Sequence, residues 1–329
     1  IMNKVAVTGA SGHVGSGLCR ELINKRFNVK VLIRKDVRGI QDLNLEIVKG
    51  DLLDISSLEE LCTDVEIVFH LAAQIAINGK NVNEVYKTNV EGTKNLINIC
   101  IKKGIKRLVY FSSIHALSSA PLDEPLNENR QLVESSRTIY DISKADGERS
   151  VIEAVKEGLD AVILNPTAII GPYDFKPSYL GQALIKLYLN KLPMLVPGGY
   201  NWVDVRDVTN AAISAAIKGR SGERYILSGT WLSLKDLSLL LEKVTGNKTP
   251  KIVCPTAMAK LALPFIKIIA LITKEHPLYT KNSLDILLNC NRNIVNAKAK
   301  KELGFNPRPL EKTISDTIDW YKANSYIRV

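Results

Sequence analysis

Tyr140 and Lys144 stand four residues apart in "YDISK", and a helix carries residues at that spacing on one face. A phenol next to an ammonium has acid–base potential. Its ordinary pKa near 10 makes tyrosine a poor proton carrier at neutral pH, and a cation within about 4 to 6 Å favours its ionised form. The same spacing also occurs as decoration of a solvated helix face, so the pair alone carries little. A second constellation lies near the start of the chain, where "TGASGHVG" sets Gly9, Gly12 and Gly15 at three-residue intervals around Ser11, His13 and Val14. Such a backbone turns tightly and admits a pyrophosphate, whose charge sits at the positive end of the following helix. The motif becomes credible only where it joins a strand to a helix.

The surrounding sequence predicts that junction. Runs rich in Val, Ile and Leu at 4–9, 28–34, 45–51, 65–73, 106–113 and 160–166 alternate with amphipathic stretches such as Gly17 to Lys25, Asn83 to Lys103 and Tyr140 to Lys156. Strands alternating with helices predict a doubly wound α/β domain, a parallel sheet covered on both faces. After Pro166 the rhythm changes to proline-punctuated loops and helical patterns near 234–245, 256–273 and 310–323. We therefore expect a Rossmann domain over 1–166 and a smaller, mostly helical substrate lobe over 167–329. The helix-like stretch 203–217 is expected to return to the first lobe, so that about 203–220 belongs with it.

The cofactor can be read further. About twenty residues after the last glycine, where an NAD-binding domain presents an acidic residue to the ribose hydroxyls, the second strand ends "VLIRKD". Arg34 there predicts a 2′-phosphate partner and NADP(H), with Lys35 assisting; an exposed arginine at a strand end is the alternative. NAD(H) stays open, since Asp36 could reach a ribose. In "GDLLD", Asp51 with Leu52 beside it suits an adenine amine, and equally suits a turn carboxylate.

Composition narrows the class. The 329 residues are 46% apolar and 24% charged, as in a soluble globular protein. The net charge of +10 is spread along the chain among acidic residues, so nucleic acid is not an expected partner. Five scattered cysteines without any CxxC argue against a disulfide framework and read as reduced and buried. Met2 leads directly into "NKVAV", so no secretory signal is expected and the location expected is cytoplasmic. The apolar stretch 261–273, thirteen residues interrupted by Pro264 and Lys267, is too short for a bilayer core of about 30 Å. It is expected to be a packed helix, with membrane-surface contact as the alternative. The four histidines are too dispersed to suggest a metal site.

Seven motifs in order, "TGASGHVG", "GDLLD", "HLAA" (70–73), "NVEGTKNL" (89–96), "FSSIHAL" (111–117), "YDISK" and "NPTAIIGP" (165–172), resemble the extended short-chain dehydrogenase/reductase family over nearly the whole chain. Within it, "RLVYFSSIHAL", "GGYNWVDVRDV" and "AKKELGFNPRPLEKTISDTIDWY" are most similar to the dihydroflavonol reductase-like branch. The resemblance implies Tyr140 as acid/base, Lys144 as the group that lowers its pKa and holds the nicotinamide ribose, and Ser113 as the hydroxyl orienting the substrate oxygen. It also implies that Leu71, Ala72 and Ala73 line the cofactor path, that Asn89 supports the site, and that Pro166 and Thr167 neighbour the nicotinamide amide. Ser112, beside Ser113, is counted with the cofactor. His13 stands where the family often has an aromatic, so packing is its expected role. His115 lies at the expected site mouth, for substrate contact or a structural hydrogen bond.

The expected activity is reduction of a ketone or aldehyde on a small, partly apolar molecule, or the reverse. A nucleotide-sugar epimerase or dehydratase is the alternative. Such enzymes commonly place a diphosphate-binding arginine just before the segment matching "VDVRDV", where this chain reads Gly198-Gly199-Tyr200-Asn201-Trp202. A non-catalytic NADP sensor is less expected, because Tyr140 and Lys144 are both present. The family further implies a homodimer built on the helices around 83–103 and 140–156.

Overall fold

The computed structural model describes residues 4–75, 81–136, 138–192, 194–259, 261 and 281–327. Ten strands are present among them: β1 (Lys4–Thr8), β2 (Asn28–Ile33), β3 (Glu46–Lys49), β4 (Ile67–His70), β5 (Arg107–Phe111), β6 (Ala161–Pro166), β7 (Ala168–Ile170), β8 (Gly199–Asp204), β9 (Arg224–Leu227) and β10 (Thr230–Ser233). Seven form one sheet in the order β3-β2-β1-β4-β5-β6-β9, parallel throughout. A smaller sheet, β10-β8-β7, is antiparallel at one pairing and parallel at the other.

Period-two alternation explains the layering. Val5 and Val7 of β1 face one apolar cluster with α1 (His13–Asn24), while Ala6 between them joins the opposite cluster with α2 (Ile55–Leu61). A buried parallel sheet needs both faces covered. The second face also receives α4 (Gly92–Lys103), preceded by the short α3 (Val82–Tyr86) and a π-helical turn over Lys87–Glu91, and α5 (Ile139–Lys156). Further along the chain come α6 (Tyr179–Tyr188), α7 (Val205–Lys218), α8 (Leu234–Thr245), α9 (Lys281–Asn289), α10 (Ala297–Leu303) and α11 (Leu310–Ala323). Helices α6, α8, α9 and α11 share a separate apolar cluster around Trp202 and Tyr321.

The predicted doubly wound α/β architecture is therefore present. The stretch expected to be helical from 203 splits: Val203 and Asp204 end β8, and Asp204 then caps α7 by accepting from the Arg206 amide. Helix α7 packs against α1 in the apolar cluster of the large sheet. Strand β9 and the entire small sheet were absent from the sequence expectation. Four of the five cysteines are buried and Cys290 is half-buried, all as free thiols. Apart from Leu261, the stretch 261–273 lies outside the described residues, as do residues 76–80. No helix among the described residues is long and apolar enough to cross a membrane.

Gly147 sets how closely α5 approaches the sheet. A Cβ there would lie 2.4 Å from the Tyr110 hydroxyl and 3.1 Å from the Asn89 carbonyl. Glycine inside a helix costs about 1 kcal/mol relative to alanine, so close packing outweighs propensity here. Gly147→Ala is expected to destabilise the fold by about 1–3 kcal/mol through overpacking, read as a lower midpoint in urea unfolding. A raised midpoint would show that the helix has room to spare.

Candidate active site

The glycine loop leaves β1 at its carboxyl end and enters α1. Gly9 has φ of +74°, and a Cβ on it would lie 2.7 Å from the Ala72 amide nitrogen, so the loop rests directly on the turn after β4. That turn is tied back to β1: the Leu71 amide donates to the Thr8 carbonyl and the Ala72 amide to the Thr8 hydroxyl, each at 3.2 Å. A Cβ on Gly15 would lie 2.1 Å from the Gly9 carbonyl. Gly12 opens α1 with no side-chain cap and no acidic residue in the first turn. The first amides of α1 are thus left for an anion, in a cradle that side chains would fill. This fits a dinucleotide pyrophosphate, held by the backbone from Gly9 through Gly15, including Ser11 and Val14. His13 hydrogen-bonds through Nε2 to the Pro172 carbonyl at 3.0 Å, which anchors the 172 loop to the glycine loop.

Arg34 follows β2 directly, with its side chain 58% exposed and Nη1 3.6 Å from Oδ2 of Asp51. The two residues singled out for the adenosine half therefore sit together, with exposed Lys35 beside Arg34 and buried Leu52 beside Asp51. Asp51 also closes its own turn, Oδ1 accepting from the Leu53 amide at 3.0 Å. Asp36 is engaged elsewhere: Arg38 donates to both of its oxygens, at 2.9 and 2.6 Å. That hydrogen bonding pulls its carboxyl down to about 2.

The acid–base group assembles at the carboxyl ends of β4, β5 and β6. Helix α5 begins at Thr138, whose hydroxyl accepts from the Asp141 amide, and Ser136 Oγ donates to the Asp141 carboxylate at 2.6 Å. One turn inside, the buried Lys144 Nζ donates to the Phe111 carbonyl at 2.6 Å and lies 5.3 Å from the Tyr110 ring centroid. Burial pulls its pKa down to about 8, and the Glu148 carboxylate opposes that. Burial pushes Tyr140 up to about 12, while a hydrogen bond with the Ser113 side chain pulls the other way and Asp141 pushes up slightly.

Among the influences on Tyr140, burial comes first. A desolvated ammonium must satisfy its donors, and the main-chain oxygen of Phe111 is where Lys144 does so.

Ser113 and Ser112 separate clearly. Ser113 Oγ accepts from the His115 amide at 3.2 Å, which leaves its own proton free to donate. Ser112 Oγ is buried with no hydrogen-bond partner among the described residues. The His115 ring packs edge-on to Tyr140, centroids 6.4 Å apart, with Nδ1 3.9 Å from Asp141 Oδ1. Asn89 lies in the π-helical turn. Its amide binds Gln74 in both directions, at 2.7 and 2.9 Å, and donates to Ser143 Oγ, which donates to the Tyr140 carbonyl. It thereby ties the Leu71–Ala73 turn to the helix that carries Tyr140. Pro166 ends β6, and Thr167 Oγ1 donates to Asn201 Oδ1 at 3.0 Å.

Residues not singled out beforehand complete the cluster. His70 is buried between Thr8 Oγ1 and Thr93 Oγ1, at 2.7 and 2.9 Å. Burial and the neighbouring Lys144 charge push its pKa down to about 3, so it is neutral. Glu148, Asn165 and Arg224 form a buried polar group behind Ser113. Glu148 was detectable in principle, four residues beyond Lys144 on the same face; Arg224 was not, because its strand was unrecognised. An apolar cavity lined by Leu184, Leu187, Trp202 and Leu237 among others shares no residue with the Tyr140 cluster.

A fold wound this way, with a glycine cradle on β1 and a Ser-Tyr-Lys group across the β1–β4 order reversal, defines a dinucleotide-dependent enzyme of the extended short-chain dehydrogenase/reductase type. The comparisons agree. Residues 5–228 match the model of the NAD dependent epimerase/dehydratase family, and the chain belongs to that family. It is 30% identical to sterol demethylase protein B of Methylococcus capsulatus, covering 98% of this chain and 99% of that one. It is also 30% identical to a dihydroflavonol 4-reductase-like protein of Synechocystis, over 98% and 95%. The crystal structure of gox2253 superposes with a TM-score of 0.86 at 31% identity, covering 99% of this chain and 100% of that one. Oxidoreductases and epimerases both occur among its relatives.

Gly9→Ala, which forces a Cβ into the Ala72 backbone, is expected to weaken nicotinamide dinucleotide binding at least about tenfold, equivalent to roughly 1.4 kcal/mol. Titration of nicotinamide fluorescence measures this. Unchanged affinity would remove the loop from the cofactor site.

Proposed function

We propose that the protein is an NADP(H)-dependent reductase/dehydrogenase moving a hydride between nicotinamide and the carbonyl or carbinol carbon of a small molecule. The observation that carries this reading is the meeting of Tyr140, Ser113 and Lys144 at the carboxyl ends of β4 to β6, next to the glycine cradle. The bound dinucleotide supplies or accepts the hydride. The remaining work belongs to the chain. Tyr140, protonated at neutral pH in its half-buried setting, gives its proton to the developing oxyanion, and Ser113 donates a hydrogen bond to the same oxygen. Lys144 holds positive charge behind the tyrosine and close to where the ribose would lie.

The choice of NADP(H) is supported by Arg34 at the end of β2 and by Asp36 being bound up with Arg38. Reduction rather than nucleotide-sugar chemistry is favoured by the state of Arg206. Its guanidinium donates through Nε and Nη2 to Asp204, at 2.9 and 2.7 Å, and through Nη1 to Asp316 at 2.7 Å. Both carboxylates neutralise the charge a diphosphate would require. The names of the relatives make a sterol ketone and a dihydroflavonol the first members of a test panel.

Three outcomes test the reading by following NADPH absorbance with product analysis. Tyr140→Phe is expected to lower kcat/KM by about 10²–10⁴-fold while NADPH still binds; retained turnover excludes it as the acid. Arg34→Ala is expected to reduce kcat/KM for NADPH by about tenfold, as loss of a charge-assisted hydrogen bond does, and to leave NADH unaffected. An equal effect on both cofactors refutes the phosphate contact. Lys144 is cationic below about 8, so reduction should be undiminished at lower pH and fall as pH rises through that value. A flat profile from 6 to 10 would deny the ammonium a part in it.

A further inference from the structure

Tyr140, Lys144 and Glu148 recur at four-residue steps on α5 and so line one face of it. Glu148 is fully buried, a position in which an uncompensated carboxylate is prohibitively costly. Two groups from different strands meet it. Arg224 Nε on β9 donates to Oε1 at 2.6 Å, and Asn165 Nδ2 on β6 donates to Oε2 at 3.0 Å. The Asn165 amide nitrogen also donates to the main-chain carbonyl of Ser113, at 3.0 Å.

The orientation of that amide follows from charge. Both of its partners are oxygen acceptors, and a reversed amide would set Oδ1 against the carboxylate and the carbonyl. The negative charge of Glu148 therefore holds Asn165 in the one arrangement that secures the backbone of Ser113, whose hydroxyl meets Tyr140.

Lys144 has few other charges around it. Packed against it are His70 on β4 and Tyr110 on β5, both kept neutral by burial. On its own helix are Tyr140, Asp141 and Glu148, and Arg224 lies beyond the carboxylate on β9. Of these, Glu148 is the fully buried carboxylate one turn along the same face of α5, placed to favour the charged lysine.

We propose that Glu148 is a positioning residue for the reaction: its carboxylate is the counter-charge of the Lys144 ammonium and, through Asn165, the anchor of the Ser113 backbone. This rests on the reading of Tyr140, Lys144 and Ser113 as the hydride-transfer group. Arg224 balances the carboxylate on its far side, so the buried negative charge survives without being drawn entirely to the lysine. A Glu148–Arg224 pair serving the fold alone would leave the lysine's titration where it is.

The test is substrate-free. Protein carrying ¹³C at the lysine ε carbons is titrated by NMR, with the Lys144 signal assigned by its loss in Lys144→Met. In Glu148→Gln the Lys144 titration is expected to move down by about one pH unit, the scale of a lost neighbouring opposite charge. Glu148→Asp should recover part of the shift, and Glu153→Gln, which removes an exposed carboxylate paired with Lys156, should produce none. Should Glu148→Gln fail to fold, Glu148→Asp carries the test: its shortened carboxylate is expected to move the Lys144 titration down by part of that unit. An unmoved Lys144 titration in a folded variant overturns the proposal. In parallel, the alkaline fall in kcat/KM for cyclohexanone reduction by NADPH should move to lower pH by the same amount, and a fall that stays in place also counts against Glu148. Because the NMR measurement needs no substrate, a carbonyl panel in which nothing turns over would count against the proposed function alone.

Discussion

An ammonium sealed inside a protein must have its charge and its donors answered, and much of the architecture around Lys144 can be read as that answer. Phe111 offers its carbonyl from the end of β5, Glu148 offers a carboxylate one turn along α5, and Tyr110 offers its ring. The glycine at 147 lets the helix come close to Tyr110 on β5. Burial lowers the lysine's proton affinity and raises that of Tyr140, so desolvation brings the two groups' proton affinities into opposite motion. That is the physical basis of a site in which a phenol stays protonated while its neighbour stays near the edge of ionisation.

Such a site is held from several directions. Asn89 spans from the turn after β4 to α5, Asn165 spans from β6 to Ser113 and Glu148, and Thr8 with His70 closes the gap between β1 and β4. Each of these side chains is buried, and each hydrogen-bonds to two elements of the structure at once. These bonds restrain the site because any movement breaks one of them; within this group the buried Asn165 Oδ1 has no hydrogen-bond partner among the described residues. The π-helical turn carrying Asn89 is one local irregularity of this kind, and such turns are frequent at functional sites.

Reductases and epimerases both occur among the relatives, and the proposed reading as a reductase rests on occupancy by charge rather than on fold. Arg206 lies between Asp204 and Asp316, and Arg308 adds a second guanidinium by binding Asp207 and approaching Asp204, the carboxylate the two arginines share. These are partly buried ion pairs joining β8, α7 and α11. An arginine committed in that way has three of its five N–H donors, and its charge, already engaged by carboxylates.

The sequence by itself determined the sheet-and-helix rhythm of the first half, the glycine loop at its strand-to-helix turn, and the neighbouring of Tyr140 and Lys144. All of these follow from local rules: period-two burial, absent side chains, and four-residue helical spacing. Helices 234–245 and 310–323 were legible for the same reason, matching α8 and α11 in extent. Strand β9 and the small sheet were not legible. They are three to six residues long, and what stabilises them is pairing with strands distant in sequence. Only the tertiary structure decided which partners each charge would find. It placed Arg34 against Asp51, Arg206 between two carboxylates, and Arg224 against Glu148 across 76 positions of sequence. It also decided that burial is the largest influence on the acidity of Tyr140. Desolvation belongs to the packed interior as a whole, and no spacing of residues along a chain encodes it.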